Sequence, residues 1–378
     1  MAFVLYSCKD NSTLVGAGLL KNDYLHVKQL DSYADSIHQT SKYAKEVVPL
    51  GASNYLYVGK AANVQASALV KYAIYLPDSV LTDINNNAVS VINANITFQT
   101  AYTFGDSNAA FDFSVHKVNS LWTQIGFDAD STLNLDPTDI SSNHQISDSL
   151  VNANISNSLV TNWLKEINDS TYSSDYGICL SPSSGTQKVV GFEILNSSLT
   201  AASSLQIVLQ KPGVYTDTLL FYPLQSTSVV SGNLPTAVKG DMFVQSSLLI
   251  NSKLWFDVSS IPKNATINNA ELTLTKDSVS TITGNTYINA LSVYKLADST
   301  TNVLSDSNNV FVLTGSGNIF RGSITTFVQS WVDKGNNQGL LISTNTPLNG
   351  LELFAIKNSS ASDLSVRPRL QITYTINN

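Results

Sequence analysis

Four aspartates, Asp128, Asp130, Asp136 and Asp139, crowd the stretch DADSTLNLDPTD. Oxygen donors at this density can hold a hard cation, and Ca²⁺ is the ion that flexible, carboxylate-rich loops take. Asp128, Asp130 and Asp136 are therefore candidate Ca²⁺ ligands. The spacing is not that of an EF-hand, because no glycine stands at the sixth position. A solvated loop is the plainer reading of the same residues. Catalysis has less to work with. The four histidines, His26, His38, His116 and His144, come without an H-E-x-x-H, G-x-S-x-G or paired-cysteine metal motif. The carboxylates are scattered through hydroxyl-rich turns, and no acid pair of the kind a glycosidase needs stands out. The chain reads as a non-enzyme, with no cofactor beyond that candidate Ca²⁺.

Sugar binding asks for exposed rings, on which the C–H faces of a saccharide pack, flanked by polar groups. Tyr55, Tyr57, Tyr72, Trp122, Tyr172 and Tyr176 are the candidates. Tyr172 and Tyr176 lie in NDSTYSSDYG, which is longer than its counterpart KGNNQG further along. An acidic polysaccharide would also want a basic groove, from Lys71, Lys117, Lys253, Lys295, Arg367 or Arg369. The ligand-binding set taken forward is Tyr172, Tyr176, Tyr57, Trp122, Lys117 and Lys295. The two cysteines are Cys8 and Cys179. Leu5-Tyr6-Ser7-Cys8 approximates a bacterial lipobox, and SCKDN resembles the start of Bacteroidetes-type surface lipoproteins, so Cys8 is a candidate for lipidation. The bulky Tyr6 and the short apolar stretch before it depart from that pattern. An ordinary thiol is the alternative. Cys179, in YGICLS, reads as a small core residue. Whether the two cysteines pair is not legible.

Composition narrows the class. Apolar residues make up 43% of the 378 residues and charged residues 13%, about half the usual ~25%. Ser, Thr and Asn fill the difference, which suits an extracellular or outer-surface β protein. A net charge of −7, with a sequence pI of 5.0 and no basic cluster, argues against nucleic acid or an anionic membrane as partner. No run approaches the ~18 apolar residues of a membrane-spanning helix.

The elements that would position these residues are mostly strands. Period-2 alternation marks 54–60, 68–76, 90–102, 109–118, 252–258, 270–276, 287–296, 339–344, 351–356 and 370–376. Helical spacing marks 156–169, with Ser156 or Asn157 as cap, and 322–335, with Ser323 as cap and Gly335 as stop. The halves also repeat each other in order. LVKYAIYLPDSV pairs with KLWFDVSSIPKNATI, FSVHKV with LSVYKL, VTNWLKEIND with VQSWVDKGNN, and SSLQIVLQ with RPRLQITYT. The expectation is an all-β chain of two tandem jelly-roll-like sandwiches, each with one short helix. It divides into an N-terminal segment 1–21, read as a lipoprotein signal remnant or, through its apolar FVLY, as a strand donated to a neighbour, a first copy 22–213 and a second copy 214–378, with the boundary near Pro212-Gly213.

The repeated unit resembles the DNRLRE family, also counted as family 96 of the carbohydrate-binding modules. The likeness rests on DSYADS, Leu56-Tyr57-Val58-Gly59, Lys253-Leu254-Trp255-Phe256-Asp257-Val258, Ala270-x-Leu272-x-Leu274, Val328-x-x-Trp331, Gly339-Leu340-x-Ile342 and Arg367-Pro368-x-Leu370-x-Ile372-Thr373-Tyr374. It implies a jelly-roll-like sandwich in a secreted or surface protein that binds polysaccharide. The rival reading is structural: a matrix, adhesive or filament subunit. Uncharged Ser/Thr/Asn-rich strands leave sheet edges poorly protected, and such edges are templates for self-association.

Overall fold

The computed structural model describes residues 26–167, 176–195, 202–236 and 240–376. The Cys8 and Tyr172 assignments lie outside the described residues. The first part of the chain forms β1 (His26–Asp31), β2 (Gln39–Lys45), β3 (Tyr55–Ala61), β4 (Val64–Tyr72), α1 (Asp78–Asn85), β5 (Ser90–Phe104), β6 (Phe113–Lys117), β7 (Ser141–Ile146), β8 (Leu150–Ile155), α2 (Asn157–Glu166), β9 (Ile178–Pro182), β10 (Val189–Glu193) and β11 (Ser203–Lys211). The second part repeats that order: β12 (Tyr215–Phe221), β13 (Pro223–Gly232), β14 (Asp241–Gln245), β15 (Ile250–Phe256), β16 (Ala265–Ile282), β17 (Ala290–Lys295), β18 (Val310–Ser316), β19 (Ile319–Ser323), α3 (Thr325–Lys334), β20 (Leu340–Thr344), β21 (Leu353–Lys357) and β22 (Arg369–Ile376).

The strands assemble into two 11-stranded antiparallel systems. In each, one long strand serves two sets of neighbours. The first stretch of β16 pairs with β19 and β22, and its far end pairs with β21. The first stretch of β5 pairs with β8 and β11, and its far end pairs with β10. The second system closes on itself as a barrel-like ring through β16, β19, β18, β17, β20, β15, β14 and β21. Each system wraps its own core, as alternation demands. Ile96, Phe98, Trp163, Leu205 and Ile207 are buried in one, and Leu254, Phe256, Leu272, Trp331 and Ile372 in the other.

The helices largely follow their sequence signals. Ser156 caps α2 by accepting the Leu159 N–H at 3.4 Å, and Gly335 closes α3 with φ 63°, a left-handed position that glycine takes without a Cβ clash. Ser323 does not cap α3. Ile324 holds the N-cap position, and the Ser323 hydroxyl instead meets that of Thr325 at 2.9 Å. One short helix per half is also corrected, since α1 is a second helix in the first half. Pro77, five residues beyond the end of β4, stands at its N-cap, and Leu81 and Ile84 are buried along it. Pro212-Gly213 is the turn of the β11–β12 hairpin, in which Lys211 pairs with Tyr215. The chain therefore stays in the first sheet system there.

Candidate functional site

The division between the two systems does not follow the chain. By order, β1 and β2 precede the first repeat, and β12 and β13 precede the second. By pairing they are crossed. β12 pairs with β11 and β13 with β4, while β1 pairs with β22 and β2 with β15. The registers show that the exchange is between equivalents. Val70 of β4 opposes Ile178 on β9, as Leu254 of β15 opposes Leu340 on β20. On the other side, Val70 faces Ser226 and Leu254 faces Ser41. Each half is completed by the strand pair that belongs, in sequence, to the other.

The crossing points lie side by side. The Lys45 ammonium donates to the Gly232 carbonyl at 3.0 Å. The Asn63 amide donates to the Asn233 carbonyl at 3.0 Å and to Gln245 at 2.9 Å. Around them a third core joins the halves: Leu50, Tyr57, Tyr102, Phe104 and Val230 pack with Phe243, Ile250, Leu351 and Leu353. At its floor sits Glu352, 4% exposed. The Tyr102 hydroxyl donates to its carboxylate at 3.0 Å and accepts the Leu351 N–H at 2.8 Å, while the Tyr57 hydroxyl accepts the Gly350 N–H at 2.5 Å. No ion pair to Glu352 occurs among the described residues. Burial pushes the Glu352 carboxyl up from its ordinary value, against the hydrogen bonds that favour its charged form. A cleft of about 320 Å³, lined by Tyr55, Tyr287 and Ile288 among others, opens above it.

This geometry decides several sequence candidates. Tyr57 is 0% exposed and Trp122 5% exposed, so neither offers a platform to a sugar. Leu56 and Val58 face the first core and Tyr57 faces the inter-half core, so β3 is buried on both sides. Trp122 packs with Leu69, Val118, Phe127 and Cys179, and its indole N–H donates to the Tyr176 carbonyl at 2.7 Å. Tyr176 is half-buried beside it, and Cys179 is a buried free thiol. Lys117 and Lys295 sit on corresponding strands of different sheet systems. The Lys295 ammonium is spent on the Ser330 hydroxyl at 2.7 Å.

The aspartates cap their own turns. Asp128 accepts the Asp130 N–H at 3.1 Å and the Ser131 hydroxyl at 2.9 Å, and Asp136 accepts the Thr138 N–H at 2.9 Å. Bonds from the Thr138 backbone and side chain hold the Asp136 carboxyl below its usual range. Among the described residues no acidic or histidine cluster is arranged to hold a metal ion. What sequence reasoning missed is Glu352 and the exchanged strands. The signal for the inter-half core was present in LYVG and GLELFAI, where apolar residues occupy both faces of a strand.

A family model for the TGF-beta propeptide matches residues 236–361, from just before β14 to just past β21. Neither the curated proteins nor the solved structures contain a match. The resemblance to the DNRLRE family is thereby corrected, since the matching model over that stretch is the propeptide's. The physical reason is visible in the motifs. Leu254, Phe256, Ala270, Leu272, Val328, Trp331, Leu340 and Ile342 are all buried core positions, which a sandwich with this strand order needs whatever its family. Among the described residues no helix is long and apolar enough to cross a membrane.

Proposed function

We propose that the chain is a secreted or surface-held, non-catalytic structural protein that works by associating with protein, as a subunit of an extracellular matrix or filament. The observation that carries this reading is the reciprocal strand exchange: each half is finished by main-chain pairing with strands from elsewhere. Among the described residues β12 and β13 each pair on one side only, and apolar side chains stand exposed along them, with Leu220 at 49%, Tyr222 at 47% and Leu224 at 55%. Such edges are templates for further pairing. The similarity of 236–361 to the TGF-beta propeptide supports an extracellular, non-enzymatic role based on protein contact. It gives no support to polysaccharide binding, and two of the proposed platform rings, Tyr57 and Trp122, are buried.

In this reading the halves are tandem jelly-roll-like units. A lipid on Cys8 would hold the assembly at a cell surface, and intact-mass measurement of the native protein tests that separately. Light scattering across a concentration series, with electron microscopy of the same samples, tests the association itself. Regular assemblies that grow with concentration are expected. A monomer at every concentration, retained by an immobilised glycan, would return the sugar-binding reading instead.

A further inference from the structure

The two exchanged strand pairs are not tied in equally. β12–β13 is held by covalent connections at both ends, to β11 through a tight turn and to β14 through 233–240. Among the described residues, β1–β2 joins the fold at one end only, through 46–54. Resting on the association reading above, we propose that β1–β2 is a transferable strand pair. Besides its own chain, it completes the second half of another copy, so that copies link head to tail by giving and receiving this pair.

The contacts allow it. Every bond that holds β1–β2 to the second half would form identically if the pair came from another copy, which is the condition for strand swapping. Leu30 enters the second core, with Ile37 and Tyr43 packed against it. The Arg369 Nε donates to Asp31 at 2.9 Å, and the Ser359 N–H donates to the Ser41 hydroxyl at 3.0 Å. Only the connecting segment would change. Its own ties include the Glu46 N–H to Leu249 carbonyl bond at 3.1 Å, the Gln124 amide to Gly51 carbonyl bond at 2.7 Å, the Asn54 N–H to Asn349 bond at 2.7 Å, and the burial of Leu50 and Ser53; transfer would have to release the first two and Leu50. Fully extended, 46–54 spans about 30 Å, enough to reach a neighbour.

The ladder of β2 also carries a weak point that β13 lacks. Lys42 stands directly opposite Lys253, whereas the corresponding first-half register sets Leu69 against Thr227. Like charges directly opposed across a ladder are destabilising. Lys253 turns its ammonium away to the Ser299 and Thr301 carbonyls, at 3.3 and 2.5 Å. Chain order adds a kinetic reason. β1–β2 leaves the ribosome long before β15 and β22, so the pair waits for its acceptor while other copies can supply one. A pair given to one neighbour and received from another makes a non-closing, heterologous contact, which grows as a filament.

The test uses full-length chains carrying Cys8→Ser. One carries Lys42→Cys and the other Lys253→Cys. They are mixed, refolded together at high concentration, oxidised and run on a non-reducing gel. Pairing within one chain cannot bring these two cysteines together. Transfer predicts interchain 42–253 disulfides several-fold in excess of either homodimer. Heterodimers at no more than the twofold excess over either homodimer that random pairing of equal amounts gives overturn it. If light scattering then still shows assemblies, the transfer proposal falls and edge association stands. If it shows monomers alone, both fall.

Discussion

In the second half, β17 and β18 pair from Ala290–Thr314 to Tyr294–Val310. In the first half their counterparts β6 and β7 form no ladder among the described residues. Segment 118–140 runs along β6 instead. Val118 bridges to Leu135, the Asp136 N–H donates to the Lys117 carbonyl at 2.9 Å, and the Ile140 N–H donates to that of Val115 at 2.8 Å. One repeat thus closes by its own strands and the other by an insertion that covers the open edge. The fourth aspartate of that stretch, Asp139, pins this cover to β6. Asp139 accepts the Val115 N–H at 3.0 Å and the Ser141 N–H at 2.9 Å. Burial works against its charge, but those bonds and the Ser141 hydroxyl hold its carboxyl below the usual range. The difference teaches that a duplicated sandwich can lose a ladder and keep its core, provided the freed edge is satisfied.

The deeper likeness is that each half depends on the other for two strands. The sharpest way to break that view is to damage equivalent positions and ask whether the damage stays local. Ile207 faces Leu219 and Ile372 faces Leu30, and both isoleucines are buried. Ile207→Ala and Ile372→Ala should each cost about 2–5 kcal/mol. Calorimetry should show one unfolding transition shifting as a whole in both variants. A transition that splits, with one part unmoved, would mean that the halves fold independently.

The inter-half core comes next. Tyr102→Phe removes a hydroxyl that both donates to Glu352 and accepts from Leu351, and should cost about 1–3 kcal/mol in urea unfolding. Glu352→Gln keeps the shape and removes the charge. Burial raises the Glu352 carboxyl above its ordinary 4.5, so the folded state favours the protonated form. Its contribution is fully present below 4.5 and is lost as pH rises through the higher folded value. Glu352→Gln should therefore be more stable than the natural chain at neutral pH and should flatten that loss. An unchanged pH profile would show that the carboxylate is solvated from the cleft.

Two smaller effects separate the exchanged pairs. The bond to Arg369 holds the Asp31 carboxyl below its ordinary 3.8. The pair is thus stabilising above 3.8 and is lost as pH falls through the lower folded value. The Arg369 side chain is 42% exposed, so Asp31→Asn should cost only about 1 kcal/mol or less, diminishing with salt. Lys42→Glu sets opposite charges across β2 and β15 and should gain about 0.2–1 kcal/mol. The same substitution should slow transfer of β1–β2 between copies, as read by exchange of labelled chains.

Much of this fold is legible in the sequence because burial on one face leaves a period-2 trace. β5, β16, β20 and β22 lie where alternation puts them, and the Trp163 and Trp331 helices lie where four-residue spacing puts them. The exchange is not legible. QTSKYAK alternates correctly for a strand, but alternation states which face is buried and not which of two equivalent edges is its partner. Glu352 misleads for a related reason. A carboxylate just before β21 reads as solvent-facing, and it is buried where Tyr102 of the other half reaches across to it. The aromatic candidates Tyr57 and Trp122 fail likewise, since each lies on a strand or loop covered on its second side.

The most direct test of the exchanged architecture is a cross-strand disulfide in the full-length Cys8→Ser/Cys179→Ser chain at high dilution, the second change removing the thiol that faces Leu69. Lys42 opposes Lys253 as the strands are paired. Without exchange, Lys42 would oppose Leu69, the residue of β4 at the corresponding register. The account predicts that Lys42→Cys/Lys253→Cys oxidises to an intrachain disulfide while Lys42→Cys/Leu69→Cys stays reduced. The reverse result, a 42–69 disulfide with 42 and 253 left as thiols, would contradict it.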